Sequence, residues 1–199
     1  IETKRKVVES LHGGEIAAVR VREGQMVRKG DPLVTLDRQT ARARYDEVHQ
    51  HYIGLRATEG RLLAELNGAS SIAFHPDLQH DPDRKLAEAS MRSQRELLES
   101  RRTTKRILSE KLAAVKSLVA EGYAAMSQQR DLELKLAELN TSTASQLAQV
   151  QMEVDADAEK TRALAKDLAD TDLRAPVDGQ VVGLQLQTVG AVLQPGQKI

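Results

Sequence analysis

The stretch from Gly14 to Leu33 reads GEIAAVRVREGQMVRKGDPL, and the stretch from Gly179 to Ile199 reads GQVVGLQLQTVGAVLQPGQKI. Both begin with a glycine, continue with alternating apolar residues typical of short strands, and then carry two glycines six residues apart. These later glycines are Gly24 and Gly30 in the first copy and Gly190 and Gly196 in the second. Each copy alone is too small to bury a core, so we expect the two to pair into one small β-sandwich.

The composition of the chain favours long helices over a compact globule. Aromatic residues make up 2% of the 199 residues, and the positive and negative side chains balance at 29 each. A neutral chain poor in aromatic residues has neither the basic face nor the stacking platforms of a nucleic-acid-binding protein. There is no cysteine, which excludes disulfides, thiol catalysis and thiolate metal sites. The sequence contains no run of 18 apolar residues, so it predicts no membrane-spanning helix.

The middle of the chain predicts three helices in a coiled coil, because apolar residues recur at alternating spacings of four and three. The expected boundaries are about 38–66, 84–119 and 127–170 for the helices, 67–83 for a loop and 120–126 for a tip. Leu66 and Leu97 are among the side chains expected to face inward. Ser127 is the expected N-cap of the third helix.

The helix lengths predict the path of the chain. At about 1.5 Å per residue the three helices are roughly 43, 54 and 64 Å long, so the second and third can pair almost end to end. The loop has 17 residues, and such a loop can span about 56–60 Å when extended. We therefore expect the first helix to lie against the lower half of the coiled coil, with the loop running back and Leu66 near the middle of the third helix. The fold class is α+β: a long α-helical coiled-coil hairpin of three helices (38–171) inserted in a split β-sandwich (1–37 and 172–199).

Both ends of the chain resemble a known family. The run ESLHGGEIAAVRVREGQMVRKGDPLVTLD, which ends at Asp37, and the run DLRAPVDGQVVGLQLQTVGAVLQPGQ, which starts at Asp172, are similar to the two halves of a lipoyl-like domain. The family is the HlyD/PrtE/AprE group of membrane fusion proteins from type I secretion systems. The residues Leu173, Ala175, Pro176, Asp178, Gly179 and Val181 form a motif typical of such adaptors when it follows a long coiled coil. The LHGG start, Leu11–Gly14, favours the type I group.

The resemblance implies a non-enzymatic periplasmic adaptor without a cofactor. It implies an inner-membrane ABC transporter as one partner, an outer-membrane TolC-like channel as the other, and a homo-oligomer in the form of a hexameric ring. No nucleic acid is implied. The family's membrane helix and β-barrel domain are missing from this stretch, so we expect it to be a trimmed part of a longer protein anchored in the inner membrane.

The tip of the hairpin is the expected contact with the outer-membrane channel, through Leu118, Gly122, Tyr123 and Ser127. Family adaptors carry an Arg–Leu–Ser pattern at the tip, and Leu118 and Ser127 resemble its Leu and Ser. Their separation is two residues longer than in the efflux form, and only Lys116 or Arg130 could stand in for the Arg. The alternative is structural: Leu118 closes the coiled-coil seam, and Ser127 caps the third helix.

Three other functions share part of this pattern. A lipoyl or biotin carrier needs a modifiable lysine on the turn between the halves, where this chain has over 130 residues of helix after Asp37. A drug-efflux-type adaptor shares the architecture but usually lacks the separate first helix and the 67–83 loop. A purely structural coiled-coil scaffold has no reason to carry two lipoyl-like halves.

No pattern of catalytic or metal-ligating residues stands out, so we predict no metal site. His49 and His51 lie two apart on a helix and point to different faces, which favours solvated histidines. A cluster in the loop could hold a divalent ion, but its spacing fits no ligand pattern; its members are His75, Asp77, His80, Asp81 and Asp83. Asp155, Asp157 and Glu159 lack the glycine of a calcium loop and are expected on an exposed helix face.

Overall fold

The structure, a computed structural model, describes residues 6–11, 13–185 and 188–198. His12 of the LHGG start, and the ends of the two predicted halves at 1–5 and 199, lie outside the described residues, as do 186 and 187. The elements are β1 (Gly14–Val19), β2 (Met26–Val27), β3 (Pro32–Leu36), α1 (Gln39–Asn67), α2 (Pro76–Gln79), α3 (Arg84–Ala120), α4 (Met126–Ala169), β4 (Asp172–Arg174), β5 (Gly179–Gln180) and β6 (Val192–Leu193). The chain divides into two compact units, Ile1–Val48 with Lys160–Ile199, and His49–Glu159.

In the first unit, every strand from the late part of the chain pairs with a strand from the early part. The four-stranded sheet has the order β4-β3-β1-β6, and β2 pairs with β5 in a second sheet. The pairs are antiparallel, with Gly14 opposite Leu193 and Met26 opposite Gln180. The predicted fold class is therefore confirmed: the two half-motifs build one β-domain, and the helices are inserted between them.

One apolar core holds the two sheets together, and both halves contribute to it. Ile16 and Val34 from the first half are fully buried, and Leu193 from the second half is 1% exposed. Leu173 and Ala175 of the adaptor-type motif are buried in the same core. Neither half could exclude water from these side chains alone, which explains why the motif occurs twice in the chain.

In the second unit, the chain after α1 turns at Gly68 and runs back along α1. We call residues 69–83 the return segment. A Cβ atom on Gly60 would lie 2.9 Å from Ile72, Tyr52 donates a hydrogen bond to Asp77, and His49 Nε2 lies 2.8 Å from Asp81. These contacts meet α1 at successively earlier residues, so the return segment is antiparallel to α1.

The return segment differs from the predicted loop because it contains the short helix α2. Pro76 stands in the first turn of α2, and the His75 ring accepts a hydrogen bond from the backbone amide of Asp77. Leu78 of α2 is 2% exposed and packs in a core with Ile53, Ala57 and Val154. The segment is thus a packed element of the helical unit.

The burial of α1 departs from the single inward stripe that its heptad pattern predicts. The predicted seam runs through Tyr52 and Leu55 to Leu66, yet Ile53 and Ala57 are buried as well, whereas Leu66 is 40% exposed. The cause is that α1 packs against the return segment as well as against α3 and α4, so more than one face is covered. In α3, Leu97 and Leu98 are both expected to face inward. Leu98 is buried, at 4% exposed, whereas the prediction for Leu97 is wrong, since it is 39% exposed. Glu65, near the end of α1, lies 3.4 Å from Thr143 Oγ1 of α4, as the length argument predicts.

Candidate partner-contact site at the hairpin tip

Exposed polar contacts connect the two helices that lead to the tip. Lys105 Nζ donates to Asn140 Oδ1 at 3.0 Å, and closer to the tip Lys116 Nζ lies 3.1 Å from Glu133 Oε1. A hydrogen bond from Gln129, followed by that from Lys116, lowers the pKa of Glu133 from its ordinary value of 4.5. Glu133 is therefore ionised at neutral pH and remains paired with Lys116.

The turn between α3 and α4 closes the end of α3 with a glycine in the left-handed region. Gly122 has a φ of 81°, and its amide donates to the carbonyl of Val119 at 3.1 Å. The amide of Tyr123 reaches one residue further back, to the carbonyl of Leu118 at 2.8 Å. This pair of bonds is the Schellman motif, which satisfies carbonyls that the helix itself leaves unpaired. The backbone of the turn is therefore a defined structure.

Large apolar side chains project from this turn into solvent. Tyr123 is 80% exposed, Met126 51% and Leu118 44%. A tyrosine in such a position presents apolar ring surface and a hydroxyl that can donate or accept a hydrogen bond, the combination enriched at protein interfaces. Met126 is not among the residues predicted from the sequence, where it stands directly before the predicted start of the third helix.

Ser127 is exposed, and its predicted role as the N-cap of the third helix is wrong. Helix α4 begins at Met126, so Ser127 lies inside the first turn. The amide of Gln128 bonds to the carbonyl of Ala125 at 3.0 Å, so the residue before the helix is an alanine without a capping oxygen. The hydroxyl of Ser127 is therefore not explained by helix capping. Of the two residues considered as a substitute for the family's Arg, Lys116 is paired with Glu133, whereas Arg130 is exposed.

The acidic and histidine residues of the return segment serve the local structure. Asp83 caps α3 by accepting from the amide of Leu86 at 3.1 Å, and Asp81 accepts from the amide of Asp83 at 2.8 Å. His80 Nδ1 lies 2.9 Å from the carbonyl of Pro76. Within the described residues, no group of three or more histidine, aspartate or glutamate side chains could hold a metal ion.

Two sequence interpretations are corrected by contacts between histidine and aspartate side chains in this unit. His49 is not a solvated side chain, because its ring nitrogen Nε2 lies 2.8 Å from the buried Asp81. Asp157 is 7% exposed and lies 2.5 Å from His51 Nδ1, so it does not belong to an exposed acidic face. These partners are far apart in the sequence and no local pattern connects them.

Comparison with known proteins confirms the resemblance recognised from the sequence: the chain has homologues among the membrane fusion proteins of type I secretion systems. A family model described as "AprE, long alpha-helical hairpin" matches residues 41–106, which comprise most of α1, the return segment and the first part of α3. The alkaline protease secretion protein AprE of Pseudomonas aeruginosa is 26% identical over 99% of the chain and 60% of its own length. The proteases secretion protein PrtE of Dickeya chrysanthemi is 26% identical over 99% of the chain and 58% of its own length.

Solved structures agree with these relatives. The soluble domain of LipC, a membrane fusion protein of a type I secretion system, has a TM-score of 0.72 and 28% identity, with 98% of each chain covered. The periplasmic adaptor EmrA has a TM-score of 0.53 at 18% identity over 97% of this chain and 69% of its own, which shows a shared fold alone. The chain spans 58–60% of the length of the relatives AprE and PrtE. None of the helices in the described residues is both long and apolar enough to cross a membrane.

Proposed function

We propose that this chain is the hairpin and lipoyl-like part of a periplasmic adaptor that links an inner-membrane ABC transporter to an outer-membrane TolC-like channel for type I protein secretion. The observation that carries the proposal is the likeness to the LipC soluble domain over 98% of both chains, together with relatives named for protease secretion. The full-length protein is anchored in the inner membrane, and it works as a homo-oligomer, a hexameric ring by family resemblance.

The tip of the hairpin is the surface that contacts the channel in this proposal. Leu118, Gly122, Tyr123 and Ser127 form it, with Met126 as an addition from the structure. Three observations support this role. A Schellman motif defines the backbone of the turn, and large apolar side chains project from it. The hydroxyl of Ser127 does not cap α4, because the helix begins at Met126. A long coiled coil that is apolar only along its seam acts as a spacer, so its end is the part available to a distant partner.

The test is secretion of the cognate substrate by cells that carry Leu118→Asp or Ser127→Asp in the full-length adaptor. Asp in the first turn of α4 is favourable to the helix dipole, so Ser127→Asp should fold normally. Both variants are expected to lose secretion, because each places a new charge in a contact that forms without water. The matched control is Leu134→Asp, which changes a 60% exposed leucine on α4 that lies outside the tip. Normal secretion by folded Leu118→Asp and Ser127→Asp proteins would refute the tip contact.

A further inference from the structure

A cavity of about 240 Å³ lies in the helical unit beyond the C-terminal end of α1, between α3 and α4. Four cationic residues line it from about one and a half turns of α3; they are Arg101, Arg102, Lys105 and Arg106. Asn140 and Thr143 line it from α4. Positive charge therefore lies on the α3 side of the cavity, whereas the end of α1 contributes mainly apolar residues such as Ala64 and Leu66.

The local carboxylates do not balance this charge. Glu65, which also lines the cavity, is already bound by Arg61 and lies 3.4 Å from Thr143 Oγ1. Arg106 pairs with Glu110 at 2.8 Å, and Arg102 lies 3.6 Å from Glu99. Arg101 makes no ion pair among the described residues. The cavity thus keeps an excess of positive charge.

The positions of these cations depart from the heptad pattern of the hairpin and from the usual charge spacing on a helix. Arg101 and Lys105 stand seven residues before Leu108 and Leu112, so they occupy seam positions that elsewhere hold apolar side chains. Arg101 and Lys105, like Arg102 and Arg106, are like charges four apart on one helix, an arrangement that destabilises the helix. Local rules are broken in this way mainly at functional sites.

The opposite helix is irregular at the same level. The inward residues of α4 are four apart twice in succession, at Leu139, Thr143 and Leu147. Such a stutter locally unwinds a coiled coil, which provides the space for the cavity. Closer to the tip, Leu108 of α3 and Leu136 of α4 are half-buried again, so the cavity is a local feature of the hairpin.

We propose that this cavity is a binding site for a multiply charged oxyanion of the phosphate class. The guanidinium group of Arg101 offers planar pairs of N–H donors that match a phosphate. Arg102 donates through one nitrogen to the carbonyl of Ser70 and Lys105 donates to Asn140, so each uses its remaining N–H groups. The bound anion offsets the repulsion among the cations of α3. The same chemistry serves free phosphate and a phosphate monoester on a small molecule. The site is separate from the hairpin tip and does not depend on the proposed contact there.

The test measures the thermal unfolding of the purified protein in inorganic phosphate and in sodium chloride at equal ionic strength. The protein is expected to unfold about 3 °C higher in phosphate at roughly ten times its Kd. Arg101→Gln and Lys105→Gln are expected to lose this difference. Lys111→Gln, which removes an exposed cation of α3 outside the cavity, is the matched control and should retain it.

Two further measurements separate the possible outcomes. Titration with glycerol 3-phosphate beside inorganic phosphate shows the source, since tighter binding of the ester indicates a phosphate carried by a larger molecule. A purely structural role, in which the cations only stabilise the C-terminus of α1, predicts that Arg101→Gln lowers the melting temperature equally in both salts. That result, or equal melting temperatures of the unchanged protein in phosphate and chloride, would overturn the proposal.

Discussion

The backbone amide of Tyr123 donates a 2.8 Å hydrogen bond to the carbonyl of Leu118, five residues earlier in the chain. This bond fixes the exposed tyrosine relative to the last turn of α3, and it requires the left-handed conformation of Gly122 between them. The geometry of the tip therefore depends on one glycine, and the side chains proposed to contact the channel depend on that geometry.

Replacing Gly122 should distort the tip. The left-handed region costs a residue with a Cβ atom about 1–2 kcal/mol of conformational free energy. Gly122→Ala is therefore expected to lower the free energy of unfolding by about 1 kcal/mol. Asn tolerates this conformation better, so Gly122→Asn should cost less and retain more secretion activity. Urea unfolding of both variants, with secretion assayed in parallel, checks the order. Equal stability of the alanine variant and the unchanged protein would contradict the Schellman geometry.

Two glycines of α1 should respond to alanine with opposite signs. A Cβ on Gly60 would lie 2.9 Å from Ile72 of the return segment, whereas a Cβ on Gly54 would meet nothing within 4 Å. Gly60→Ala is expected to destabilise by about 1–3 kcal/mol through overpacking. Gly54→Ala should stabilise by about 0.5–1 kcal/mol because alanine favours a helix interior. Denaturant unfolding of the two variants compares them directly, and a stabilised Gly60→Ala would show that the return segment does not pack on α1 there.

Acid should weaken the β-domain partly through Glu23. Its carboxylate accepts hydrogen bonds from the amides of Gly183 at 2.8 Å and Leu184 at 2.7 Å, and these bonds, led by that from Leu184, lower the pKa of Glu23 from its ordinary value of 4.5. A group with a lowered pKa in the folded state adds stability above its unfolded pKa and loses it as the pH falls through the folded value. Stability should therefore fall with acid below about pH 4.5.

The variant Glu23→Gln removes this titration and should flatten the acid dependence of unfolding in that range. Glu88→Gln changes an exposed carboxylate of α3 and serves as the control with the same change in charge. Unfolding curves between neutral pH and pH 3 provide the comparison. An equally steep acid dependence in Glu23→Gln and in the unchanged protein would show that these two amide bonds do not contribute.

The sequence predicts those parts of the fold that have a local signal. The paired glycines identify the two halves of the β-domain, and the heptad spacing identifies the helices. Gly122 predicts the break between the second and third helices, because a glycine in the left-handed region is a common end of a helix. The similarity of the two halves indicates that they pair with each other, since neither half could bury Ile16 or Leu193 alone.

The parts that the sequence did not reveal depend on contacts between distant residues. His51 and Asp157 are 106 residues apart, and their pairing follows from the register of α1 against α4, which no local pattern encodes. The burial of Ile53 and Ala57 depends on the return segment, whose small helix is too short to show a period. At the tip, the start of α4 at Met126 instead of Ser127 shows that a favoured capping residue does not by itself fix a helix boundary.

The most direct test of the central claim is site-specific photo-crosslinking from position 123 of the full-length adaptor in secreting cells. Tyr123 is replaced by a photoreactive phenylalanine analogue, which keeps the size and exposure of the ring. Met152, 69% exposed on α4 and about 39 Å from the start of that helix, is the control position. The account predicts a crosslink from position 123 to the outer-membrane channel protein and none from position 152. A functional adaptor with no crosslink to the channel from position 123, or with equal crosslinks from both positions, would contradict it.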